Sequence, residues 1–153
     1  MDNAKDILLV EDNSDELELI RYVLEKNRLQ DRVQVARNGQ ETLDCIFGNG
    51  PDNQNAMTRP PQLILLDLKL PKVSGIEVLQ RIKADPRTHS IPVVVLTSSR
   101  EPSDVSRCYE LLANSYVVKP VDLDRLAKII QLVSLYWLKL NHPPPQPQGA
   151  ADS

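Results

Sequence analysis

Residues 63–75 read L-I-L-L-D-L-K-L-P-K-V-S-G, and this stretch decides the fold. Four consecutive apolar residues at 63–66 are typical of a strand buried on both faces. The strand ends in a carboxylate, Asp67, and Pro71 and Gly75 mark the loop that follows. Open α/β sheets bind their ligands beyond the carboxyl ends of the strands, so Asp67 lies where chemistry is expected. Taken alone, a strand-end aspartate is equally consistent with a residue that caps the next turn.

Outward from this stretch, short apolar runs predict four more strands, at residues 7–10, 33–36, 92–96 and 116–118. Helices are predicted between them because polar capping pairs precede apolar stripes of helical spacing. The helix starts are indicated by Asn13 with Glu16, Asn38 with Glu41, Ser74 with Glu77, Pro102, and Asp122.

The fourth predicted helix runs to about residue 113 and the last to about residue 140. Strand and helix therefore alternate five times, which predicts an α/β fold with a doubly wound, five-stranded parallel sheet. We expect residues 5–140 to form one domain, which leaves no room for an attached output domain. Residues 48–61 lack periodicity and are interpreted as a surface loop. The proline-rich tail, residues 141–153, is predicted to be disordered.

Composition excludes several function classes. The chain has 153 residues, of which 25% are charged and 41% apolar, as in ordinary globular domains. A formal net charge of -3 gives no general attraction to nucleic acid or to an anionic membrane surface. No apolar run is long enough for a membrane span, and residues 1–6 lack a signal-peptide pattern. Cys45 and Cys108 fit neither a disulfide framework nor a metal motif, so we expect a reduced, cytoplasmic protein.

Polar side chains follow four of the five predicted strands: Glu11-Asp12, Asp67, Thr97-Ser98 and Lys119-Pro120. In a parallel sheet these strand ends lie along the same edge. Three carboxylates brought together repel one another unless a cation lies between them, and Mg²⁺ prefers oxygen ligands. If each acid were solvated in its own loop there would be no such site, but the lysine and threonine opposite the acids favour one.

Chemical roles follow from this grouping. Asp67 is the candidate nucleophile toward a phosphoryl group, with Mg²⁺ held by Glu11, Asp12 and Asp67. Lys119 would pair with one phosphoryl oxygen, and the Thr97 hydroxyl would donate to another.

These motifs, together with Pro71 and Gly75, resemble those of a response-regulator receiver domain over about residues 5–140. The resemblance implies a flavodoxin-like (βα)5 fold with strand order 2-1-3-4-5. It also implies that Asp67 accepts a phosphoryl group from a sensor histidine kinase, in a protein that catalyses its own phosphorylation and dephosphorylation but is not otherwise an enzyme.

The same resemblance implies finer features of the site. The Lys119–Pro120 bond is expected to be cis, and the backbone carbonyl of Lys69 is expected to bind the metal. Tyr116 occupies the family's aromatic switch position, where the ring turns inward as Thr97 moves toward the phosphoryl group. A half-buried strand aromatic is the plainer interpretation of Tyr116, and both can hold together.

A narrower resemblance comes from the sequence around two strands, I-P-V-V-V-L-T-S-S and A-N-S-Y-V-V-K-P-V-D-L. With the 48–61 loop and the Tyr136-Trp137-Leu138 run, it is similar to the small stand-alone regulators paired with cyanobacterial phytochromes. The resemblance implies a red/far-red light sensor as the kinase, and output by protein contact.

The last predicted helix carries a second apolar set beside its core stripe of Leu126, Ile130, Val133 and Trp137. A helix that packs on a sheet needs one stripe, so the surplus predicts a partner surface. We expect a homodimer through the fourth helix, fifth strand and last helix. Its candidate contact residues are Ile129, Leu132, Tyr136, Trp137 and Leu140. Alternatively, the 48–61 loop or the proline tail folds over them.

Two other functions compete with a terminal signalling switch. The chain could be a relay intermediate that passes its phosphoryl group to a phosphotransfer protein, and the sequence does not discriminate between these roles. It could also be an aspartyl-phosphate phosphohydrolase of the haloacid dehalogenase type. That class needs a second acid two residues after the nucleophile, where this chain has Lys69, so turnover is disfavoured.

Overall fold

The computed structural model describes residues 5–48 and 56–145. Its centre is a five-stranded parallel sheet in the order β2-β1-β3-β4-β5, which confirms the predicted fold class and strand order. The middle of the 48–61 loop and the last eight residues of the proline-rich tail lie outside the described residues, so the predictions for them stand untested.

The five strands are β1 (Ile7–Val10), β2 (Val33–Ala36), β3 (Leu63–Leu66), β4 (Val93–Thr97) and β5 (Ser115–Val118). The helices are α1 (Ser14–Lys26), α2 (Gly39–Phe47), α3 (Gly75–Ala84), α4 (Pro102–Glu110) and α5 (Leu123–Leu135). A 3₁₀ turn, Gln30–Arg32, precedes β2, and a π-helical turn, Tyr136–Leu140, extends α5.

Four of the helices begin as the capping residues predict. The side chains of Asn13, Asn38, Ser74 and Asp122 each accept a hydrogen bond from a backbone N–H in the first turn. Such caps satisfy donors that have no partner within the helix, and each is worth about 1 kcal/mol. They fix where each helix starts after its strand.

The core has two layers, one on each face of the sheet. Because strand side chains alternate, Ile64 and Leu66 face one layer while Leu63 and Leu65 face the other. Helices α2, α3 and α4 cover the first face, and α1 and α5 cover the second. The predicted stripe residues Leu126 and Ile130 are fully buried, and Val133 and Trp137 pack partly buried against the same layer.

Helix α4 is shorter than predicted, ending at Glu110 instead of near residue 113. Leu112 adopts a left-handed backbone with φ of 71°, and the N–H of Ala113 donates to the carbonyl of Cys108 at 3.0 Å. This is the hydrogen bond of a Schellman ending. Sequence periodicity does not reveal it because a leucine rarely takes that conformation.

Both cysteines, Cys45 and Cys108, are buried free thiols. None of the helices in the described ranges is both long and apolar enough to cross a membrane.

Gly75 fixes the path of the loop that follows Asp67. A Cβ atom added at Gly75 would lie 2.4 Å from the carbonyl oxygen of Asp67 and 2.5 Å from the Cα of Leu68. The N–H of Gly75 also donates to the Leu68 carbonyl at 3.0 Å. The obstructing atoms are backbone, so no side-chain rotation can relieve the contact. A glycine is required for α3 to start this close to the end of β3.

We expect Gly75→Ala to destabilise the protein by about 1–3 kcal/mol, because the backbone beside Asp67 must shift to admit the methyl group. Urea unfolding measures this loss. Gln80→Ala, at an exposed position of the same helix, is the control and should change the free energy of unfolding by less than about 0.5 kcal/mol. Equal stabilities for the two variants would show that the loop accommodates a Cβ.

Candidate functional site

Four side chains that follow or end neighbouring strands lie at the carboxyl edge of the sheet. Glu11 and Asp67 come directly after β1 and β3, Thr97 ends β4, and Lys119 follows β5. The parallel hydrogen-bond ladder continues past three of these ends, since the N–H groups of Glu11, Asp67 and Lys119 donate to carbonyls of the adjacent strands at 2.8–3.2 Å. All four residues are at most 8% exposed. Four members of the predicted constellation are therefore buried at this edge, whereas Asp12 and Ser98 are exposed.

The ammonium of Lys119 is the centre of this group. Its Nζ donates to Glu11 Oε1 at 2.6 Å, to Glu16 Oε2 at 2.8 Å and to Asp67 Oδ2 at 3.1 Å. A lysine ammonium has three N–H donors, so each carboxylate can receive one. Lys119 thus ties β5 to β1, β3 and the first turn of α1.

Three carboxylates around one ammonium leave an excess of negative charge. Burial, reinforced by the charge of Asp67, raises the pKa of Glu11 to about 7 even though Lys119 opposes the shift. Burial disfavours the charged form of Lys119, but the hydrogen bonds and charges of its three acid partners outweigh burial and raise its pKa. The site is therefore suited to taking up further positive charge.

The second oxygen of Asp67 is also held. The N–H of Lys69 donates to Asp67 Oδ1 at 3.2 Å, while Lys119 binds Oδ2. The carboxylate is thus fixed in orientation from both sides. The Lys69 side chain itself is exposed.

The predicted metal ligands are brought together only in part. Glu11 and Asp67 converge on Lys119, but Asp12 is exposed, and its backbone carbonyl accepts a hydrogen bond from Arg37 at 3.2 Å. Within the residues that the structure describes, no three His, Cys, Asp or Glu side chains are arranged to hold a metal ion. The lysine ammonium lies between Glu11 and Asp67 in this structure, and the metal-binding role of Glu11, Asp12 and Asp67 stays a prediction.

The chemistry of the site nevertheless fits a hard divalent cation. Its donors are carboxylate oxygens, which Mg²⁺ and Mn²⁺ prefer, and its charge is incompletely balanced by Lys119. Glu11, Asp12, Asp67 and the Lys69 carbonyl are the residues that would hold such an ion.

A hydrogen-bonded chain links Thr97 to Tyr116. The N–H of Ser99 donates to Thr97 Oγ1 at 3.4 Å, and the Tyr116 hydroxyl donates to the Ser99 carbonyl at 3.0 Å. Ser99 Oγ in turn donates to Asp104 Oδ2 of α4 at 2.5 Å. Tyr116 is half-buried, as the plainer interpretation predicts. It is connected to Thr97 through one intervening residue.

The chain matches the family model for the response regulator receiver domain over residues 7–131. The chain belongs to this family. The match covers most of the chain and includes all four buried residues of the carboxyl edge.

Two curated relatives of this receiver are similar to it along most of their length. Response regulator Rcp1 of a Synechocystis strain is 39% identical over 88% of this chain and 90% of its own length. The probable methanogenesis regulatory protein FilR2 of Methanothrix harundinacea is 38% identical over 90% of this chain and 86% of its own.

Solved structures agree with the fold of the receiver. The Mn²⁺-bound form of Rcp1 superposes with a TM-score of 0.84 at 38% identity, covering 92% of this chain and 99% of that one. The phosphorylated cyanobacterial phytochrome response regulator RcpA also gives 0.84, at 37% identity, covering 93% and 99%.

One further expectation for the receiver is wrong, and one residue of the site was not predicted. In the described part of the chain no peptide bond is cis, so Lys119–Pro120 is trans and the expected cis bond is wrong. The trans isomer is the default for X–Pro bonds, and Lys119 reaches all three acids from it. Glu16 was not predicted to belong to the site. The sequence placed Glu16 only in a capping box, where the carboxylate is expected to bind the start of its own helix.

The candidate dimer residues of the receiver, on α5 and the π-helical turn that extends it, differ in exposure. Leu132, Tyr136 and Leu140 are exposed at 64%, 48% and 76%. Ile129 and Trp137 are half-buried against the core, and the Trp137 ring meets that of Tyr136 edge to face at 5.1 Å.

The pKa of Glu11 predicts a pH dependence of stability in the metal-free receiver. The carboxyl ionises near pH 4.5 when unfolded and near pH 7 when folded, so folding takes up a proton between these values. Stability from this group is present below pH 4.5 and is lost as the pH rises through 7. Glu11→Gln cannot show this loss. Relative to wild type, the free energy of unfolding of Glu11→Gln should therefore be about 1–3 kcal/mol higher at pH 7.5 than at pH 5.

Urea unfolding at both pH values, with a chelator present, measures this difference. Glu18→Gln is the control, since Glu18 is exposed on α1. Its stability relative to wild type should not change with pH. A constant difference between wild type and Glu11→Gln would contradict the raised pKa.

Proposed function

We propose that this receiver accepts a phosphoryl group on Asp67 from a sensor histidine kinase and signals through protein contacts. The observation that carries the proposal is the buried Lys119 ammonium, which binds Asp67 at the carboxyl edge of the sheet. Lysine placed there stabilises negative charge that develops on a transferring phosphoryl group. The domain limits 5–140 and an output by contact alone are part of the same proposal.

In the proposed reaction an oxygen of Asp67 attacks the phosphorus of a phosphohistidine. A new O–P bond forms as the P–N bond breaks, and the imidazole leaves with the electron pair of that bond and takes up a proton. The fixed orientation of Asp67, held by Lys69 N–H and Lys119, lowers the entropy cost of the attack. The product is an acyl phosphate that water can hydrolyse.

Lys119 and Thr97 bind the phosphoryl group in the proposed reaction. Lys119 gives up its weakest contact, the 3.1 Å bond to Asp67, and donates to a phosphoryl oxygen. The Thr97 hydroxyl donates to another oxygen, and Tyr116, linked to Thr97 through Ser99, follows that movement inward. Glu11, Asp12, Asp67 and the Lys69 carbonyl would hold Mg²⁺, which would supply positive charge to the transferring oxygens. The existence of an Mn²⁺-bound form of the similar regulator Rcp1 supports a divalent cation in this receiver.

A phytochrome is the kinase that we propose. Similarity to the phytochrome response regulator RcpA and to Rcp1 supports it, and we accordingly propose light signalling in the cytoplasm. FilR2, a probable methanogenesis regulatory protein, is identical to this chain to a similar degree, so identity at this level also occurs in a regulator that is not described as a phytochrome regulator. A relay role is discriminated by mixing the phosphorylated receiver with phosphotransfer proteins and following the label.

Turnover as a phosphohydrolase has little support in the site. The second acid that this chemistry needs is replaced by Lys69, whose side chain is exposed. The buried acids Glu11 and Asp67 are both engaged by Lys119. We therefore propose a phosphoacceptor and not an enzyme with external substrates.

Asp67→Asn should reduce phosphorylation to background, because an amide oxygen is a poor nucleophile toward phosphorus. Radiolabel transfer from a phytochrome kinase with Mg²⁺ measures it. In wild type the label should be labile in acid or base and absent when Mg²⁺ is chelated. Asp15→Asn, which removes an exposed acid of α1, should be labelled as wild type. Label that survives in Asp67→Asn would place the acceptor elsewhere.

We also propose that the receiver forms a homodimer through α4, β5 and α5. The exposed side chains Leu132, Tyr136 and Leu140 give α5 an apolar outer side. Burying such a set removes apolar surface from water, which favours association by about 25 cal/mol per Å². Tyr136 and Trp137, in edge-to-face contact, would lie near its centre.

Tyr136→Ser should weaken the dimer by at least about tenfold, because aromatic anchors carry most interface energy. Light scattering after size exclusion at tens of micromolar measures the mass. Tyr22→Ser is the matched control, since Tyr22 is 54% exposed on α1, outside the proposed interface. A wild-type protein that is monomeric both with and without phosphoryl group would overturn the dimer.

A further inference from the structure

The carboxylate of Glu16 does not serve the helix that carries it. The first half of the capping box is made, since the N–H of Glu16 donates to Asn13 Oδ1 at 3.0 Å. The second half requires Glu16 to accept from the N–H of Asn13, but that N–H donates to Glu11 Oε2 at 3.1 Å. The Glu16 carboxylate instead accepts from Lys119 Nζ at 2.8 Å.

Helix α2 shows what the same motif does when nothing draws the acid away. There Asn38 caps the N–H of Glu41 at 2.8 Å, and the Glu41 carboxylate accepts from the Asn38 side chain at 2.8 Å. Glu41 thus stays at the start of its own helix. Glu16, by contrast, extends from the start of α1 to Lys119.

Glu16 differs from the other two partners of Lys119 in its access to water. Its side chain is 27% exposed, against 3% for Glu11 and 11% for Asp67. It is also the partner that neither accepts the phosphoryl group nor belongs to the proposed metal ligands. Its bond to Lys119 is shorter than that of Asp67. Glu16 can therefore keep its hydrogen bond to Lys119 when the bond between Lys119 and Asp67 breaks.

We propose that Glu16 is a positioning residue that shares Lys119 with the phosphorylation site and sets its charge balance. This inference rests on the proposed phosphoacceptor function. Glu16 adds a negative charge beside the site, which favours a bound cation and disfavours the additional negative charge of a phosphoryl group. Because it acts on ions of opposite sign, its removal should affect their affinities in opposite directions.

The test compares Glu16→Gln with Asp15→Asn, which removes the same charge from the same helical turn at an exposed position without a recorded contact to Lys119. Titration calorimetry measures the affinity for Mg²⁺ alone, and then for beryllofluoride, a phosphoryl mimic, at saturating Mg²⁺. In Glu16→Gln the affinity for Mg²⁺ should fall roughly three- to tenfold and that for beryllofluoride should rise by a similar factor. Asp15→Asn should change both less than about twofold.

The outcomes separate the two proposals. Loss of both affinities in Glu16→Gln would show a structural defect and overturn the inference. Values equal to those of Asp15→Asn would also overturn it, by showing that the contact with Lys119 has no influence. A wild type that takes up no phosphoryl group from an acyl phosphate donor with Mg²⁺ would instead refute the phosphoacceptor function. Phosphorylated wild type with unchanged Glu16→Gln affinities would refute the positioning role alone.

Discussion

The bond set of the Lys119 ammonium is the interaction on which the site depends. One buried cation binds acids from the ends of β1 and β3 and from the start of α1. A buried charge without partners is strongly unfavourable, so the lysine and its acids must assemble together. The sheet makes this possible because parallel strands deliver their carboxyl ends to one edge. The fold thus holds like charges closer together than they would lie in an unfolded chain in water.

This assembly works against stability. Two buried acids and a third at the rim share one counter-charge. Burial, reinforced by the charge of Asp67, raises the pKa of Glu11 even though Lys119 opposes the shift. Functional sites often retain such unfavourable arrangements, which the rest of the protein must offset. Here the offset comes from two apolar layers, in which β1 and β3 are buried along their whole length. The close contact at Gly75 then fixes the loop beyond Asp67 without adding polar groups.

Local signals in the sequence predicted the elements well where a single residue decides the backbone. The capping residues Asn13, Asn38 and Ser74 start helices as expected, and the apolar runs at β1, β2 and β3 match their strands to the residue. Prediction was wrong at the end of α4, where Leu112 takes a left-handed conformation. It was also wrong for Lys119–Pro120, because the family resemblance implied a cis bond and the structure contains the trans one. At Leu112 the backbone takes a conformation that a leucine rarely adopts, whereas Lys119–Pro120 keeps the default isomer of an X–Pro bond.

The sequence alone predicted the fold class and the polar residues Asp67, Thr97 and Lys119 at one edge of the sheet, while the strand order was implied by the resemblance to receiver domains. It could do so because apolar runs and strand-end polar residues are local patterns, and parallel topology converts them into one edge. Only the tertiary structure decided which charges pair. Glu16 lies 103 residues from Lys119 in sequence, and its capping-box spacing predicted a bond to its own helix. The partner of a carboxylate depends on distance and burial in the folded protein, and the spacing of residues along the sequence does not reveal it.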